Sequence, residues 1–415
     1  MLINNKIKIR LNIFLLFIIQ LFYLSTVTQK QHNSFPKPTE PIKWNNQIPY
    51  WVNVLSDADF ITGFLKKIEK HTCLQFIKHT NYFDNQKGLH FIRVEDYTRA
   101  EHIGPFPNKN IVNVYVKYNW DAVHNKGLIE SAIHNALGAV PENNRCDRDK
   151  YITVYKDRMK EQYKNFFELN NYSCPFLKGI SYDYGSITHD TCWEKEIDPT
   201  IGAIFRAKHF PDFYQRTMGH KEFATFNDYK MLNYILCSDK CKPPKIKCYF
   251  GGYPNPKNCS QCLCPPGFTG DDCIYIVTKV EHITWRAYPY KESEIIYTQN
   301  EIKRWGDSSS YSRYLYITAP IGKKVWFHHI ESQACKWGKQ YCISGRGHEI
   351  RYRADKGPMG ICLCDSIYWK FPVVSEDNLM VVYYNGMCNW HLLIFEYATC
   401  GEKVDCNGVK NSGYD

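Results

Sequence analysis

The sequence has no long run of like charges, and beyond residue 24 it has no apolar stretch long enough to cross a bilayer. The formal net charge is +10, but its Lys and Arg are spread along the chain, so no nucleic-acid partner is expected. No stable membrane span is expected after the N-terminal residues. With 44% hydrophobic and 23% charged residues, the 415-residue chain can bury cores, which excludes a disordered protein.

The one long apolar run covers residues 11–24 and follows three basic residues. Small residues come directly after it. A basic start, a short apolar core and small residues predict a secretory signal peptide over residues 1–28, followed by a short pro-segment or linker over residues 29–43. An uncleaved membrane anchor is the alternative, although the run is short for a span. We therefore expect a secreted, extracellular protein.

Cysteine is sparse in two long parts of the chain and dense between them, over residues 241–273. Eighteen cysteines fit an oxidising compartment, where they are expected to pair. The dense part is too short to bury its own core, so disulfides must hold it together. Its cysteine order and the turn Gly267-Phe268-Thr269-Gly270 resemble an EGF-like module. That resemblance implies the disulfides Cys241–Cys259, Cys248–Cys262 and Cys264–Cys273.

Residues 274–400 contain short β-rich runs separated by Gly, Asn, Asp and Pro, which predicts an all-β sandwich. The clearest runs are Tyr314–Thr318, Lys324–His328, Leu379–Tyr384 and Leu392–Tyr397. The strand rhythm around residues 314–325 resembles a CUB-like domain. The tail over residues 401–415 is polar and is predicted to be disordered.

The stretch that carries chemical information covers residues 127–151, GLIESAIHNALGAVPENNRCDRDKY. Apolar residues four apart predict an amphipathic helix of about three turns, which Gly138 ends. The pattern E-x-x-R-x-D-R-D-x-Y follows, from Glu142 to Tyr151. This stretch resembles the signature of the astacin zinc metalloendopeptidases. In that signature three His bind zinc, and a Glu beside the first His acts as general base.

The resemblance extends to the segments Trp44–Tyr50, His71–Phe76 and Phe226–Cys237. It implies an α+β fold with a two-lobed, metzincin-like peptidase domain over residues 44–239. It also implies a disulfide between Cys73 and Cys237. Peptidase domain, EGF-like module and CUB-like domain in this order are common among roundworm astacins.

Four positions of the signature hold residues that can neither bind zinc nor act as a general base. The zinc-ligand positions hold Ser131, Asn135 and Pro141, and the general-base position holds Ala132. A serine hydroxyl stays protonated at neutral pH, an amide oxygen suits hard cations better than zinc, and proline offers no donor. Losing the general base typically costs about 10²–10⁴ in rate. We therefore expect neither zinc nor another cofactor, and no catalysis.

Residues 180–190 resemble the Met-turn of the family, and here too the residues that take part in the zinc chemistry are replaced. Thr188 stands at the Met position, and Asp190 stands at the position of the Tyr that stabilises the oxyanion. His189 matches a family His that is not a ligand. His134 has Glu130 four residues before it, on a helix face about 100° away from the ligand face. An exposed or partly buried Glu–His pair is expected there rather than a replacement site.

Two functions remain open from the sequence. The first is a non-catalytic astacin homologue that binds an extracellular protein or peptide through the former substrate cleft, the C-terminal β domain or both. Such a cleft can still accept an extended peptide as an added strand. The second is an active zinc metalloendopeptidase with an unrecognised ligand set, for which the nearby histidines are His124, His134 and His189.

Several features stay unassigned by the sequence. Asn171 opens an N-glycosylation sequon. Cys146, Cys174, Cys192 and the seven cysteines after Cys273 have no implied partner. Bridges between domains, bridges to another chain and free thiols would each balance these odd counts. The oligomeric state is not indicated.

Overall fold

The computed structural model describes residues 44–106, 108–117, 126–170, 174, 175, 177, 179–192, 197–278, 292–334, 341–387, 391–401, 403–407 and 409. The predicted signal peptide and pro-segment, His124 and Asn171 lie outside these residues. Within the described part of the chain, no helix is long and apolar enough to span a membrane.

The N-terminal part is a sheet packed against helices. Its elements are β1 (Gln47–Val52), α1 (Ala58–His71), β2 (Gln75–Lys78), β3 (Gly88–Val94), β4 (Arg99–Ala100), β5 (Ile111–Lys117) and α2 (Lys126–Leu137). The strand order is β2-β1-β3-β5-β4, and β4 alone is antiparallel to its neighbour. α1 buries Ile61, Leu65 and Ile68, which recur at helical spacing and contribute to the core beneath the sheet. The predicted helix before Gly138 is confirmed as α2.

The chain after α2 is mostly irregular. Its elements are β6 (Ile152–Val154), α3 (Glu161–Lys164), β7 (Phe205–Ala207), α4 (Pro211–Tyr214) and α5 (Phe226–Leu236), with 3-10 turns at Glu142–Asn144 and Arg148–Lys150. α5 begins with a capping box, in which Thr225 and Asp228 exchange side-chain and backbone hydrogen bonds. α5 joins the core of the N-terminal sheet, whereas β6, β7 and α4 belong to a second core.

A disulfide-rich segment follows α5. It contains β8 (Tyr253–Asn255), β9 (Asn258–Leu263), β10 (Phe268–Thr269) and β11 (Tyr275–Ile276). Its disulfides are Cys241–Cys259, Cys248–Cys262 and Cys264–Cys273. A further disulfide, Cys73–Cys237, joins the end of α1 to the end of α5 across 164 residues of sequence. Closing so long a loop constrains the unfolded chain by roughly 4–5 kcal/mol in the entropic model.

The C-terminal part is a sandwich of two sheets, as predicted. Its strands are β12 (Glu294–Tyr297), β13 (Lys303–Asp307), β14 (Arg313–Thr318), β15 (Val325–Gln333), β16 (His348–Arg351), β17 (Ile361–Leu363), β18 (Ser366–Ile367), β19 (Phe371–Val374), β20 (Leu379–Tyr384) and β21 (Leu392–Thr399). One sheet has the order β12-β14-β20-β16-β17. The other has the order β13-β21-β15-β18, with β19 also paired to β15. All four β-rich runs named from the sequence are strands.

The predicted disorder from residue 401 onward is wrong for the described residues up to 407. A disulfide joins Cys400 to Cys406, a β-bridge pairs Gly401 with Val404, and Val404 is buried. The polar composition gave no sign of this small disulfide-closed loop, because the pairing of neighbouring cysteines is not encoded in their spacing.

Four of the remaining cysteines form two local bridges. Cys146 pairs with Cys174, and Cys342 pairs with Cys364. Cys362 is a buried free thiol. Cys335 and Cys388 lie outside the described residues. No disulfide within the described part of the chain connects the N-terminal part to the β sandwich, so other contacts must hold the two together.

Candidate functional site

The positions that correspond to the zinc ligands and the general base lie on α2 and just beyond the bend at Gly138. Their side chains are buried. Ser131 and Asn135 are each 8% exposed, Ala132 is 2% exposed and Pro141 is buried. The Asn135 carbonyl accepts from Gly104 N (2.8 Å) and Gly138 N (2.9 Å). Gly138 has φ +113°, a conformation that favours glycine and allows the chain to turn sharply.

These residues do not fit a zinc ion. A neutral hydroxyl, an amide, a methyl group and a proline ring stand where a catalytic zinc site needs three strong ligands and a base. Among the residues that the structure describes, no three His, Cys, Asp or Glu side chains come together in a way that could hold a metal ion.

His102 is a buried histidine near this face that no sequence pattern singles out. Its Nδ1 lies 2.6 Å from the Gly104 carbonyl oxygen, and Gly104 in turn bonds to α2. Burial lowers the pKa of His102 and keeps the ring neutral. Its position follows from the packing of the segment after β4, which has no helical or strand periodicity to reveal it.

The residues after the bend form a dense charged network. Arg145 Nη1 donates to Glu142 Oε1 (2.9 Å), and the same guanidinium donates to both Asp147 oxygens (2.9 Å each). Arg145 also donates to the carbonyls of Ile180 (3.0 Å) and Ser181 (3.3 Å). Glu142 and Arg145 are both buried. Burial raises the pKa of the Glu142 carboxyl, against the opposing charge of Arg145.

The Met-turn-like segment is attached to this network. Asp183 N donates to Glu142 Oε1 (2.7 Å), and Asp183 Oδ1 accepts from Gly185 N (2.9 Å). Burial raises the pKa of Asp183 to about 6. Asp228, the capping residue of α5, accepts from Ile187 N (2.9 Å) and so holds the turn from the other side.

The three sequence-selected residues of this turn have structural contacts. His189 is fully buried, with Nε2 2.8 Å from the Tyr182 hydroxyl and Nδ1 2.8 Å from the Asp190 carbonyl oxygen. Burial lowers the pKa of His189 to about 4. Thr188 is buried, and its amide donates to Ser186 Oγ (3.1 Å). Asp190 is half-buried and its amide donates to Asn143 Oδ1 (2.8 Å).

The prediction of an exposed or partly buried Glu130–His134 pair is wrong. Both residues are buried, and both ring nitrogens of His134 lack a hydrogen-bond partner among the described residues. Glu130 Oε1 instead accepts from the Tyr229 hydroxyl (2.7 Å). Tyr229 belongs to α5, which covers this face of α2. Burial lowers the pKa of His134 to about 4, so the ring is neutral at physiological pH.

A segment of the β sandwich, residues 351–360, packs directly beneath the Met-turn-like segment. Met359 N donates to Asp183 Oδ1 (3.1 Å), and the Met359 side chain lies against Gly185, where an added Cβ would come within 2.7 Å of it. Asp355 Oδ2 accepts from Ser181 N (3.4 Å) and from the buried Lys230 Nζ (3.4 Å). We call residues 351–360 the inserted segment.

Arg353 of the inserted segment occupies a cage of tyrosines. Its guanidinium donates to the Tyr182 carbonyl and lies between 5.4 and 6.0 Å from four ring centroids. The rings belong to Tyr151, Tyr184, Tyr214 and Tyr352. The sandwich and the signature region are therefore joined by buried polar and aromatic contacts.

The comparisons with known proteins find the same family that the signature residues resemble. Residues 37–237 match the model of the peptidase family described as Astacin. This stretch is an astacin-family domain. The chain is 27% identical over 352 residues to the zinc metalloproteinase nas-34 of Caenorhabditis elegans, covering 83% of this chain and 54% of that protein.

Other astacin relatives show the same partial overlap. The chain is 30% identical over 353 residues to the zinc metalloproteinase nas-36 of Haemonchus contortus, covering 83% of this chain and 54% of that protein. It is 35% identical over 277 residues to the zinc metalloproteinase dpy-31 of Brugia malayi, covering 63% and 43%. The chain thus spans about half the length of these relatives. A solved structure, the hatching enzyme zinc-protease HCE-1 of Oryzias latipes, aligns with 49% of this chain and 98% of its own, at a TM-score of 0.39 and 18% identity.

Proposed function

We propose that this chain is a secreted, non-catalytic astacin homologue that binds an extracellular protein or peptide. The observation that carries the proposal is the set of Ser131, Ala132, Asn135 and Pro141 at the positions of the zinc ligands and the general base, all of them buried. No zinc is expected, because none of these side chains is a ligand or base that zinc hydrolysis requires. We also infer that the disulfide-rich segment is EGF-like and the sandwich CUB-like.

The structure favours the β sandwich over the former cleft as the binding surface. The side chains at the old catalytic positions offer a partner almost no exposed area. β12 lies at the edge of its sheet, with Ile295 47% exposed and Tyr297 71% exposed on its outer face. An edge strand with outward apolar side chains is the arrangement to which an extended peptide adds as a further strand.

Zinc content and peptidase activity test the absence of catalysis. The full-length chain, secreted from a eukaryotic host, is expected to contain substoichiometric zinc by elemental analysis and to leave a protein substrate uncut. An active astacin prepared in the same way serves as the positive control. Stoichiometric zinc together with chelator-sensitive cleavage would establish the alternative, an active metalloendopeptidase with a ligand set that the signature does not include.

Binding at β12 is tested with a library of displayed extended peptides. Peptides selected on the full chain are expected to lose binding to the Tyr297→Asp variant. Ile321→Asp is the matched control, because Ile321 is 97% exposed but lies in a turn outside any strand. If peptides bind Tyr297→Asp and the parent equally well, the sheet edge is not the binding surface.

A further inference from the structure

A pocket of about 400 Å³ lies where the end of α5 meets the disulfide-rich segment. Its walls are largely apolar and rigid, and they are formed by Pro175, Tyr234, Pro244, Pro254 and Pro256 together with Cys237 and Cys241. Cys237 and Cys241 are each held in a disulfide, and proline fixes its own backbone torsion. The shape of the pocket is thus set by covalent constraints before any ligand arrives.

The polar groups of the pocket are few and differ in kind. Lys240 and Lys242 are the charged side chains that line it among the described residues, and both are positive. Asn233 also lines it and is buried, and its Oδ1 has no hydrogen-bond partner in the described part of the chain. A buried acceptor without a partner destabilises the fold, and a ligand hydroxyl or N–H that donates to it would offset that loss.

The positive charge extends beyond the pocket. Lys245 and Lys247 follow along the same exposed segment, and the described residues supply no carboxylate ion pair to Lys242, Lys245 or Lys247. Lys240 Nζ lies 4.0 Å from Asp239 Oδ2, a solvent-exposed pair of the kind that contributes little. Lys240 and Lys242 therefore give the pocket positive charge, which Lys245 and Lys247 continue along the segment, and such a field attracts anions.

We propose that this junction pocket binds an acidic saccharide, a sugar chain that carries carboxylate or sulfate groups. The apolar face of a sugar ring fits against Tyr234 and the prolines, and a sugar hydroxyl donates to Asn233 Oδ1. The anionic group pairs with Lys240 and Lys242, and further anionic units of the chain pair with Lys245 and Lys247. This site is separate from the signature positions and does not depend on whether the astacin domain is catalytic.

The test uses the full chain and heparin oligosaccharides as the probe, with affinity measured by titration calorimetry at several salt concentrations. The site variant is Lys240→Gln with Lys242→Gln. The matched control is Lys323→Gln with Lys324→Gln, which removes the same charge from an exposed turn of the sandwich. We expect the site variant to bind about tenfold more weakly and the control to stay within about twofold of the parent.

Each alternative result has a defined meaning. Equal weakening in both variants would show that net charge alone attracts heparin, and the proposal would fail. Failure of the parent to bind would also overturn it. Polyglutamate is included as an acidic peptide, and binding as tight as that of heparin would assign the pocket to acidic proteins instead. Hyaluronan, which has carboxylates but no sulfates, distinguishes the two anionic groups within the proposed class.

Discussion

The residues at the four catalytic positions and the residues that follow them in the same signature have opposite characters. Ser131, Ala132, Asn135 and Pro141 are small or neutral, and the Asn135 amide oxygen is left without a partner among the described residues. Glu142 and Arg145, a few residues later, take part in ion pairs and hydrogen bonds that reach across the domain. The two sets of positions within one motif therefore differ in how firmly their side chains are bonded to the rest of the fold.

The difference between the two sets of positions has a physical reason. A zinc ligand can be replaced without loss of folding, because the metal site adds to a helix that already packs through its apolar residues. A buried charge within a network cannot be removed on its own, because its partners would be left buried and unpaired. Substitutions in and around the network test this contrast.

Arg145→Met should have the largest effect. The substitution leaves Glu142 buried beside the Asp183 amide without its counter-ion and removes the bonds to the carbonyls of Ile180 and Ser181. We expect the free energy of unfolding to fall by roughly 3–5 kcal/mol. Urea unfolding followed by fluorescence, or the secreted yield if the variant does not fold, measures the loss.

Lys156→Met is the control for Arg145→Met. The Lys156–Glu168 ion pair has a 2.7 Å separation, but both side chains are about half exposed. Its removal should cost less than about 1 kcal/mol. If the two variants lose similar stability, the network around Arg145 is not what holds this part of the domain.

Acidification should produce the next largest effect. His134 and His189 have folded pKa values of about 4, below the ordinary value of 6.5, because burial disfavours the charged ring. Their contribution to stability is complete above pH 6.5 and is lost as the pH falls from 6.5 towards 4, by up to about 3 kcal/mol for each ring. Three buried carboxyls act in the opposite sense, because the raised pKa values of Asp183 (about 6), Glu142 and Asp228 favour the folded state as the pH falls.

The buried histidines outnumber these three carboxyls, because His71, His220, His329 and His348 also have lowered pKa values. Unfolding midpoints in urea should therefore drop between pH 7 and pH 5. His134→Leu should reduce the drop, whereas His79→Leu, at a half-exposed position, should leave it unchanged. An identical drop in parent and His134→Leu would show that His134 is not titrating with folding.

Arg353→Met tests whether the contacts of the inserted segment stabilise the fold as strongly as the network around Arg145 does. The variant loses the Tyr182 carbonyl bond and the attraction of four tyrosine rings, but it leaves no carboxylate unpaired. We expect a loss of about 1–2 kcal/mol, smaller than for Arg145→Met. The same urea titrations measure it, and limited proteolysis should show earlier cleavage between the sandwich and the astacin domain. A loss as large as that of Arg145→Met would mean that the cage is part of the same network.

Local features of the molecule could be predicted from the sequence, whereas its long-range contacts could not. The apolar spacing before Gly138 predicts α2, and short runs rich in β-branched and aromatic residues predict strands such as β20, because both signals lie in the local sequence. The assignment of Ser131, Ala132, Asn135 and Pro141 to the ligand and base positions stays a prediction. The burial of His134 was not predictable, since it depends on α5, which arrives about 90 residues later in the sequence.

The contacts of the inserted segment could not be predicted from the sequence either. Met359 and Arg353 lie in irregular chain of the sandwich, and nothing in their local sequence indicates that they pack against Gly185 or Tyr182. The junction pocket is a similar case. Its prolines and lysines are visible in the sequence, but the cavity lies between elements that are distant in sequence and that the Cys73–Cys237 and Cys241–Cys259 disulfides join.

The second core contains residues from both the astacin domain and the sandwich, from Ile152 to Phe395. The order of synthesis therefore matters. While the chain is still being made, the side of the astacin domain that carries Tyr184 and Tyr214 lacks part of its apolar neighbours until the sandwich strands have left the ribosome. The core of the N-terminal sheet can form early, whereas the second core is completed only after the sandwich strands have been made.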